Sequence, residues 1–121
     1  MSLFLGLDLG TSGIRTSVIN EDGQLISSAQ NLINKPVKNG LRKTQDPFIW
    51  WTLVKDIIKF QGQKLKNLNK DPRDILSISI DGTSGTILLV DNNLNPLTNA
   101  EMYSSTGFDK QAQLINNFCP N

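Results

Sequence analysis

The tetrapeptide Gly-Thr-Ser-Gly occurs twice, as Gly10-Thr11-Ser12-Gly13 and Gly82-Thr83-Ser84-Gly85, each time beside an aspartate, Asp8 and Asp81. Glycine has no Cβ, so backbone N–H groups in such a turn can approach an anion closely, and the threonine and serine hydroxyls add donors. That combination suits a terminal phosphate. A carboxylate such as Asp8 can hold Mg²⁺ through water beside it, and Arg15 can offset phosphate charge if its side chain turns back to the loop. The plain alternative is a tight turn capped by an aspartate, since turns use these residue types in any case. The second copy argues for a site. Neither copy is a P-loop, which needs a lysine after its last glycine and then a helix, nor a dinucleotide fingerprint, which needs Gly-x-Gly-x-x-Gly.

The elements that must position these turns are strands. Leu3, Leu5, Leu7 and Leu9 alternate with Phe4, Gly6, Asp8 and Gly10, and after the turn Ile14, Thr16 and Val18 alternate with Arg15 and Ser17. Period two predicts strand, turn, strand, a hairpin with Asp8 near the end of its first strand. The second copy reads the same way, from Ile75 to Ile80 before the turn and from Thr86 to Asp91 after it. Asp8 precedes its first glycine by two positions and Asp81 by one, so alternation aims the two carboxylates at opposite faces relative to their turns. The two turns then have different jobs, one gripping phosphate and the other an acceptor hydroxyl.

Between them, Asn20-Glu21-Asp22-Gly23 marks a turn into a third strand from Gln24 to Leu32, and the polar stretch from Asn34 to Thr44 predicts a loop. Asp46-Pro47 is a helix start: Asp accepts from free N–H groups, and Pro at the first helical position has no N–H to lose. Trp50, Val54, Ile57, Ile58, Leu65 and Leu68 form a stripe that packs on the sheet, interrupted by Gly62 at a cost of about 1 kcal/mol relative to Ala. Trp50 reads as core. Trp51 lies off the stripe, placed to reach a ligand pocket or a neighbouring domain. Asp71-Pro72 ends the helix, and the crossover feeds a strand parallel to an earlier one. A short helix from about 108 to 118 closes an order of β-β-β-α-β-β-α in a mixed sheet.

Three motifs in order, Leu5-Gly6-Leu7-Asp8-Leu9-Gly10-Thr11-Ser12-Gly13-Ile14-Arg15, Gln45-Asp46-Pro47 with Trp50-Trp51, and Ile80-Asp81-Gly82-Thr83-Ser84-Gly85-Thr86, carry a family likeness. Nearly the whole chain resembles the start of an FGGY-family carbohydrate kinase. Its ribulose and xylulose kinases are the nearest in pattern, in particular the D-ribulose kinase-like members of plants and cyanobacteria. The resemblance implies an α/β, ribonuclease H-like fold of the actin/sugar kinase/Hsp70 superfamily, with ATP and Mg²⁺ in a cleft between two domains and a sugar hydroxyl phosphorylated. Carried onto this chain, it puts catalytic Asp8 beside the metal, through water, and Thr11, Ser12, Gly13 and Arg15 along the phosphate. Asp81, Gly82, Thr83 and Ser84 would face the sugar.

The chain also departs from that pattern. Many members carry Glu where Thr44 stands, and a Trp-x-Asp-x-Arg signature where this sequence reads Tyr103-Ser104-Ser105-Thr106-Gly107. Those charged groups normally contact sugar hydroxyls, so the departure bears on which sugar is used. A non-catalytic sugar-sensing or interaction module that kept the fold is the alternative it motivates. An actin-like ATPase is a third reading, opposed by the second Gly-Thr-Ser-Gly turn and the Asp-Pro-x-x-Trp helix start.

At 121 residues with 38% hydrophobic content, the chain suffices for one small domain with a core. It is too short for such a kinase, so residues 1–121 are expected to be the first part of the N-terminal, sugar-binding domain, with the general base and the C-terminal nucleotide-binding domain outside it. Lys and Arg number 12 against 11 Asp and Glu, scattered along the chain, which gives no footprint for nucleic acid or an anionic membrane. The first apolar run lacks a basic leader and a cleavage site, and no run is long enough to span a bilayer. A single cysteine, Cys119, fits a reducing cytoplasm. There is no histidine, so any general base is a carboxylate. The expected partner is a small-molecule sugar, and the full-length enzyme is open to forming a homo-oligomer.

Overall fold

Leucine alternation at the start of the chain builds the central strand of a four-stranded sheet. In the computed structural model, which describes residues 2–119, β1 (Leu3–Leu9) turns through Gly10–Ser12 into β2 (Gly13–Asn20) and then β3 (Leu25–Leu32). These three strands form the expected antiparallel meander. Leu3, Leu5 and Leu7 of β1 and Ile14 and Val18 of β2 are buried on one face, as period-two alternation requires.

The next stretch corrects the expected loop from Asn34 to Thr44. Its residues form a second hairpin, β4 (Val37–Asn39) with β5 (Arg42–Gln45), turned at Gly40, whose φ of 59° lies in the left-handed region. Most of this hairpin is solvent-exposed, so its sequence is polar on both faces and carries no apolar alternation.

α1 (Pro47–Asn67) opens as anticipated. The Asp46 carboxylate accepts from the Phe48 N–H at 2.8 Å, and Pro47 takes the first helical position. Ile57, Gln61 and Leu65 of this helix are buried, with Trp50, Val54 and Ile58 half-buried against the core. Leu68, expected in the stripe, is instead the exposed C-cap. The helix stops before Asp71-Pro72, because Asn69 turns left-handed at φ 56°. Asp71 then caps a short 3-10 turn, Pro72–Asp74, by accepting from the Arg73 N–H at 2.9 Å.

The crossover delivers β6 (Ile75–Gly82) parallel to β1, giving the mixed strand order β3-β2-β1-β6. α1 lies against β2 and β3. β6 is an outer edge, and its Leu76, Ile78 and Ile80 are exposed.

The second expected hairpin does not form. After the turn at Gly82–Gly85 the chain leaves the main sheet, and Ile87 makes an isolated bridge to Glu101 of β7 (Ala100–Glu101). β7 joins β5, giving a second sheet ordered β4-β5-β7. The run from Ile87 to Val90 cannot continue a full ladder with the returning chain, because its partner there is Pro96, which has no N–H to donate. The chain reverses at Asp91, whose Oδ1 accepts from the N–H groups of Asn93 and Asn95 at 2.8 Å each. α2 (Asp109–Phe118) follows, one residue inside the expected start. Among the described residues no helix is long and apolar enough to cross a membrane.

Candidate functional site

Asp8, next to last in β1, faces Arg15 across the antiparallel ladder, and the two side chains pair at 3.2 Å. Both remain about half exposed, so the pair is weak as a stabiliser and accessible to a ligand. The Arg15 guanidinium also reaches the first turn: its Nη1 lies 3.3 Å from where a Cβ on Gly10 would stand. The turn is closed by the Gly10 N–H donating to the Gly13 carbonyl at 3.0 Å. Gly13 is glycine for a packing reason, since a Cβ there would lie 2.8 Å from the Asn31 carbonyl oxygen on β3.

Two anchors fix the turn from behind. The Ile33 N–H donates to the Ser12 carbonyl at 3.0 Å, and the buried Gln45 amide donates to the carbonyls of Thr11 and Asn34, each at 3.0 Å. Gln45 in turn accepts from the Trp50 indole N–H at 3.1 Å, tying the turn to α1. The carbonyls of Thr11, Ser12 and Gly13 are thus engaged. Among the described residues, the hydroxyls and amide N–H groups of Thr11 and Ser12 carry no hydrogen bond, and these are the donors an anion uses.

Relative to their turns the two carboxylates take opposite faces, as alternation implies, yet on the sheet itself they share one. On the parallel β1–β6 ladder Leu9 pairs with Gly82 and Asp8 with Asp81. Facing residues on neighbouring strands share a face, so Asp8 and Asp81 project side by side. It is the turns that are offset by one residue. With Arg15, Ser17 and Ser79 the two carboxylates line a hollow of about 360 Å³. Asp81 Oδ1 accepts from the Gly82 N–H at 2.7 Å.

The first halves of the two turns meet elsewhere, without Ser12, Gly13, Ser84 or Gly85. Gly10 and Thr11 of the first turn and Gly82 and Thr83 of the second line one recess of about 190 Å³, with Gln45, Trp50 and Met102. The Thr83 hydroxyl bonds to that of Thr86 at 3.0 Å, and Ser84 is exposed at the tip of its turn. Asp81 therefore belongs with Asp8 and Arg15, while Thr83 and Gly82 face the first turn. Trp51 does not reach the recess: it is exposed, with the Lys55 ammonium 5.7 Å from its ring, and Trp50 is the tryptophan at the site. Sequence reading missed the roles of Gln45 and Met102. The signal for Gln45 was its place just before Asp46-Pro47, a polar residue at a strand end facing a helix start.

A longer groove of about 710 Å³ adjoins this recess, sharing Met102 with it, between β5, β7 and the segment around Ile87. Arg42 and Glu101 form an ion pair on its wall. The hydrogen bond from the Arg42 guanidinium is the chief cause that holds the Glu101 carboxyl well below the usual carboxylate range. Ser105, where the resemblance expects Asp, is committed to structure: its hydroxyl donates to the Lys43 carbonyl at 3.0 Å and accepts from the Lys43 N–H at 2.8 Å.

Mg²⁺ is compatible with the donor set on β1 and β6. It is commonly bound by one or two carboxylates with several waters and substrate phosphates completing the octahedron. Among the described residues no group of three or more His, Cys, Asp or Glu gathers for an all-protein metal cage.

Comparison with known proteins gives the lineage of this arrangement. Residues 3–118 match the FGGY family of carbohydrate kinases, N-terminal domain. A xylulose kinase of Klebsiella pneumoniae is 26% identical over 113 residues, covering 93% of this chain and 22% of that protein. A ribulokinase of Staphylococcus aureus strain Newman is 30% identical over 118 residues, covering 87% of this chain and 21% of that one. Among solved structures, a xyloylose (xylulose) kinase from Brucella ovis superposes with a TM-score of 0.83 at 22% identity, over 96% of this chain and 24% of that one. The chain thus spans under a quarter of the length of the relatives it matches. With its described residues matched almost end to end, the chain belongs to the FGGY family of carbohydrate kinases, as the N-terminal domain or a part of it.

Proposed function

We propose that this chain is the sugar-side portion of an ATP-dependent kinase that phosphorylates a hydroxyl of a ketopentose or related polyol. The observation that carries the reading is the convergence, at one end of the parallel β1–β6 pair, of a carboxylate pair with Arg15 and of two glycine-flanked hydroxyl turns sharing one recess. The ribonuclease H-like character of the sheet and a cytoplasmic setting belong to the same proposal.

In this reading the sugar hydroxyl oxygen bonds to the γ-phosphorus of ATP, the bond to the bridging oxygen breaks, and ADP leaves. The hydroxyl proton passes to a carboxylate in the part of the enzyme that this chain does not span. Thr11 and Ser12 offer N–H and O–H donors to the phosphoryl oxygens, and Arg15 offsets their charge. Asp8, and Asp81 beside it, would hold Mg²⁺ through water. When bound, that ion neutralises phosphate charge. Gly82 and Thr83 position the acceptor end of the sugar, since the transfer depends mainly on alignment.

The test is ADP release with ribulose, xylulose, ribitol and glycerol, run on the 121-residue chain and on the full-length polypeptide that carries it. The longer protein should turn over a ketopentose and the 121 residues alone should not. Turnover by the short chain would overturn the placement of the base. Sugar binding by a full-length protein that never releases ADP would favour the sensing module.

A further inference from the structure

Gln45 is a buried polar residue at the end of β5, and the hydrogen bonds around it fix which way its amide faces. Its Nε2 donates to the Thr11 and Asn34 carbonyls, and its Oε1 accepts from the Trp50 indole N–H. Two acceptors at one end and a pure donor at the other leave a single orientation, since a flipped amide would set oxygen against carbonyl oxygens and N–H against N–H. Both amide hydrogens are engaged within the chain itself. Gln45 lines the recess where the first halves of the two turns meet, yet it keeps no donor for a ligand there.

What Gln45 controls is a peptide plane. No peptide bond of the described residues is cis, so the Thr11 carbonyl and the Ser12 N–H, which belong to one planar trans unit, point in opposite directions. Drawing that carbonyl back onto the Gln45 amide turns the Ser12 N–H outward, away from Gln45. Ser12 is exposed and does not line the recess, as that direction requires. The next peptide plane is held in the same way, by the Ile33 N–H on the Ser12 carbonyl at 3.0 Å.

We propose that Gln45 is a positioning residue for a terminal phosphoryl group: by holding the Thr11 carbonyl, and being held in turn by Trp50, it aims the Ser12 N–H at a γ-phosphoryl oxygen. The assignment rests on the kinase reading for placing phosphate at this turn. A donor fixed in advance needs no rearrangement when the charge arrives, and that is the source of its effect. Because it addresses the terminal phosphoryl, it acts on a nucleoside triphosphate and not on a diphosphate.

Gln45→Glu is nearly isosteric, keeps an acceptor for Trp50 and loses both N–H donors. In the full-length polypeptide, calorimetry compares the Mg²⁺ complexes of adenylyl imidodiphosphate and ADP. Gln45→Glu should lower the affinity for the triphosphate analogue about tenfold and leave that for ADP nearly unchanged, a split that a general folding defect does not produce. Protonating the new carboxyl returns one donor to the Thr11 carbonyl. Burial raises the pKa of such a group, and among the described residues no charged side chain lines the recess to oppose that, so the deficit against wild type should shrink as pH falls.

Trp50→Phe removes the indole N–H, frees the amide to turn and adds no charge. It should show the same split, several-fold in size, which separates the lost orientation from repulsion by a new carboxylate, and it serves alone if the first variant does not fold. An analogue-to-ADP ratio unchanged in the folded variants, equal losses for both nucleotides, a deficit indifferent to pH, or a wild type that binds neither nucleotide would each overturn the assignment. ADP release from ATP and a ketopentose is read separately. Its absence in a wild type whose variants still show the split strikes the kinase reading alone, and its presence beside an unchanged ratio strikes the assignment alone.

Discussion

Asp8 and Asp81 are facing partners on parallel strands, two carboxylates side by side at the end of the β1–β6 pair, with Arg15 on the far side of Asp8. Carboxylates so placed repel one another, and a cation between or beside them relieves that repulsion. Arg15 supplies part of that charge in the present structure.

The two aspartates should differ in the full-length enzyme. Asp8→Asn should lower kcat by about 10²–10³, the usual loss when one preorganised charge-stabilising group is removed, with sugar binding nearly unchanged. Asp81→Asn should raise the Mg²⁺ concentration needed for half-maximal rate and spare the sugar KM. A raised sugar KM in Asp81→Asn would return that residue to the substrate side.

Gly13→Ala tests the packing argument for the first turn. The added methyl would sit 2.8 Å from a backbone oxygen of β3, which cannot move without disturbing the ladder. Urea unfolding should show a loss of roughly 1–3 kcal/mol, the ordinary cost of forcing a carbon into a filled space.

Gln61 of α1 is fully buried, and among the described residues neither its Oε1 nor its Nε2 has a hydrogen-bond partner. Gln61→Leu should therefore stabilise the chain by about 1–3 kcal/mol, the penalty ordinarily attached to unsatisfied buried polar atoms. An unchanged or lowered urea midpoint would mean that bound water satisfies this amide.

Gln45 makes the opposite case, a buried amide whose bonds join the Thr11 turn, Asn34 and Trp50. Gln45→Leu should cost about 2 kcal/mol or more by stranding those partners. Trp50 emission should shift as its N–H loses its acceptor.

Acid should weaken the Asp71 cap of the crossover. Hydrogen bonds from Arg73 hold the Asp71 pKa at about 2, below its ordinary 3.8, so its contribution is complete at neutral pH. That contribution begins to fade as pH falls through the ordinary value and is gone below the folded one. Asp71→Asn should flatten the pH dependence of unfolding in that window, and at pH 7 it should lack the small contribution that is complete there.

Strands backed by the core were legible from residue types alone. Leu3, Leu5 and Leu7 announced β1 because one face is buried and the other is not, and Asp46-Pro47 announced α1 through capping chemistry. The β4–β5 hairpin escaped because Val37 to Thr44 is largely exposed, so no apolar period marks it. Ile87 to Val90 misled in the reverse sense: its residues favour a strand, yet Pro96 interrupts the returning chain it meets. For the site, residue types found both turns and both aspartates. The pairing of Asp8 with Asp81 was hidden because register between strands distant in sequence is set by the crossover, which local alternation does not encode.

The bare outer margin at β6 has a practical meaning. Isoleucines that would be interior in a covered sheet, Ile78 and Ile80, form an apolar lip beside an unpaired row of peptide groups, with no proline or lysine in the strand to repel a newcomer. Such a margin is self-adhesive. Handled alone at high concentration, these 121 residues should stick strand to strand, and introducing a lysine at Ile80 should keep them apart.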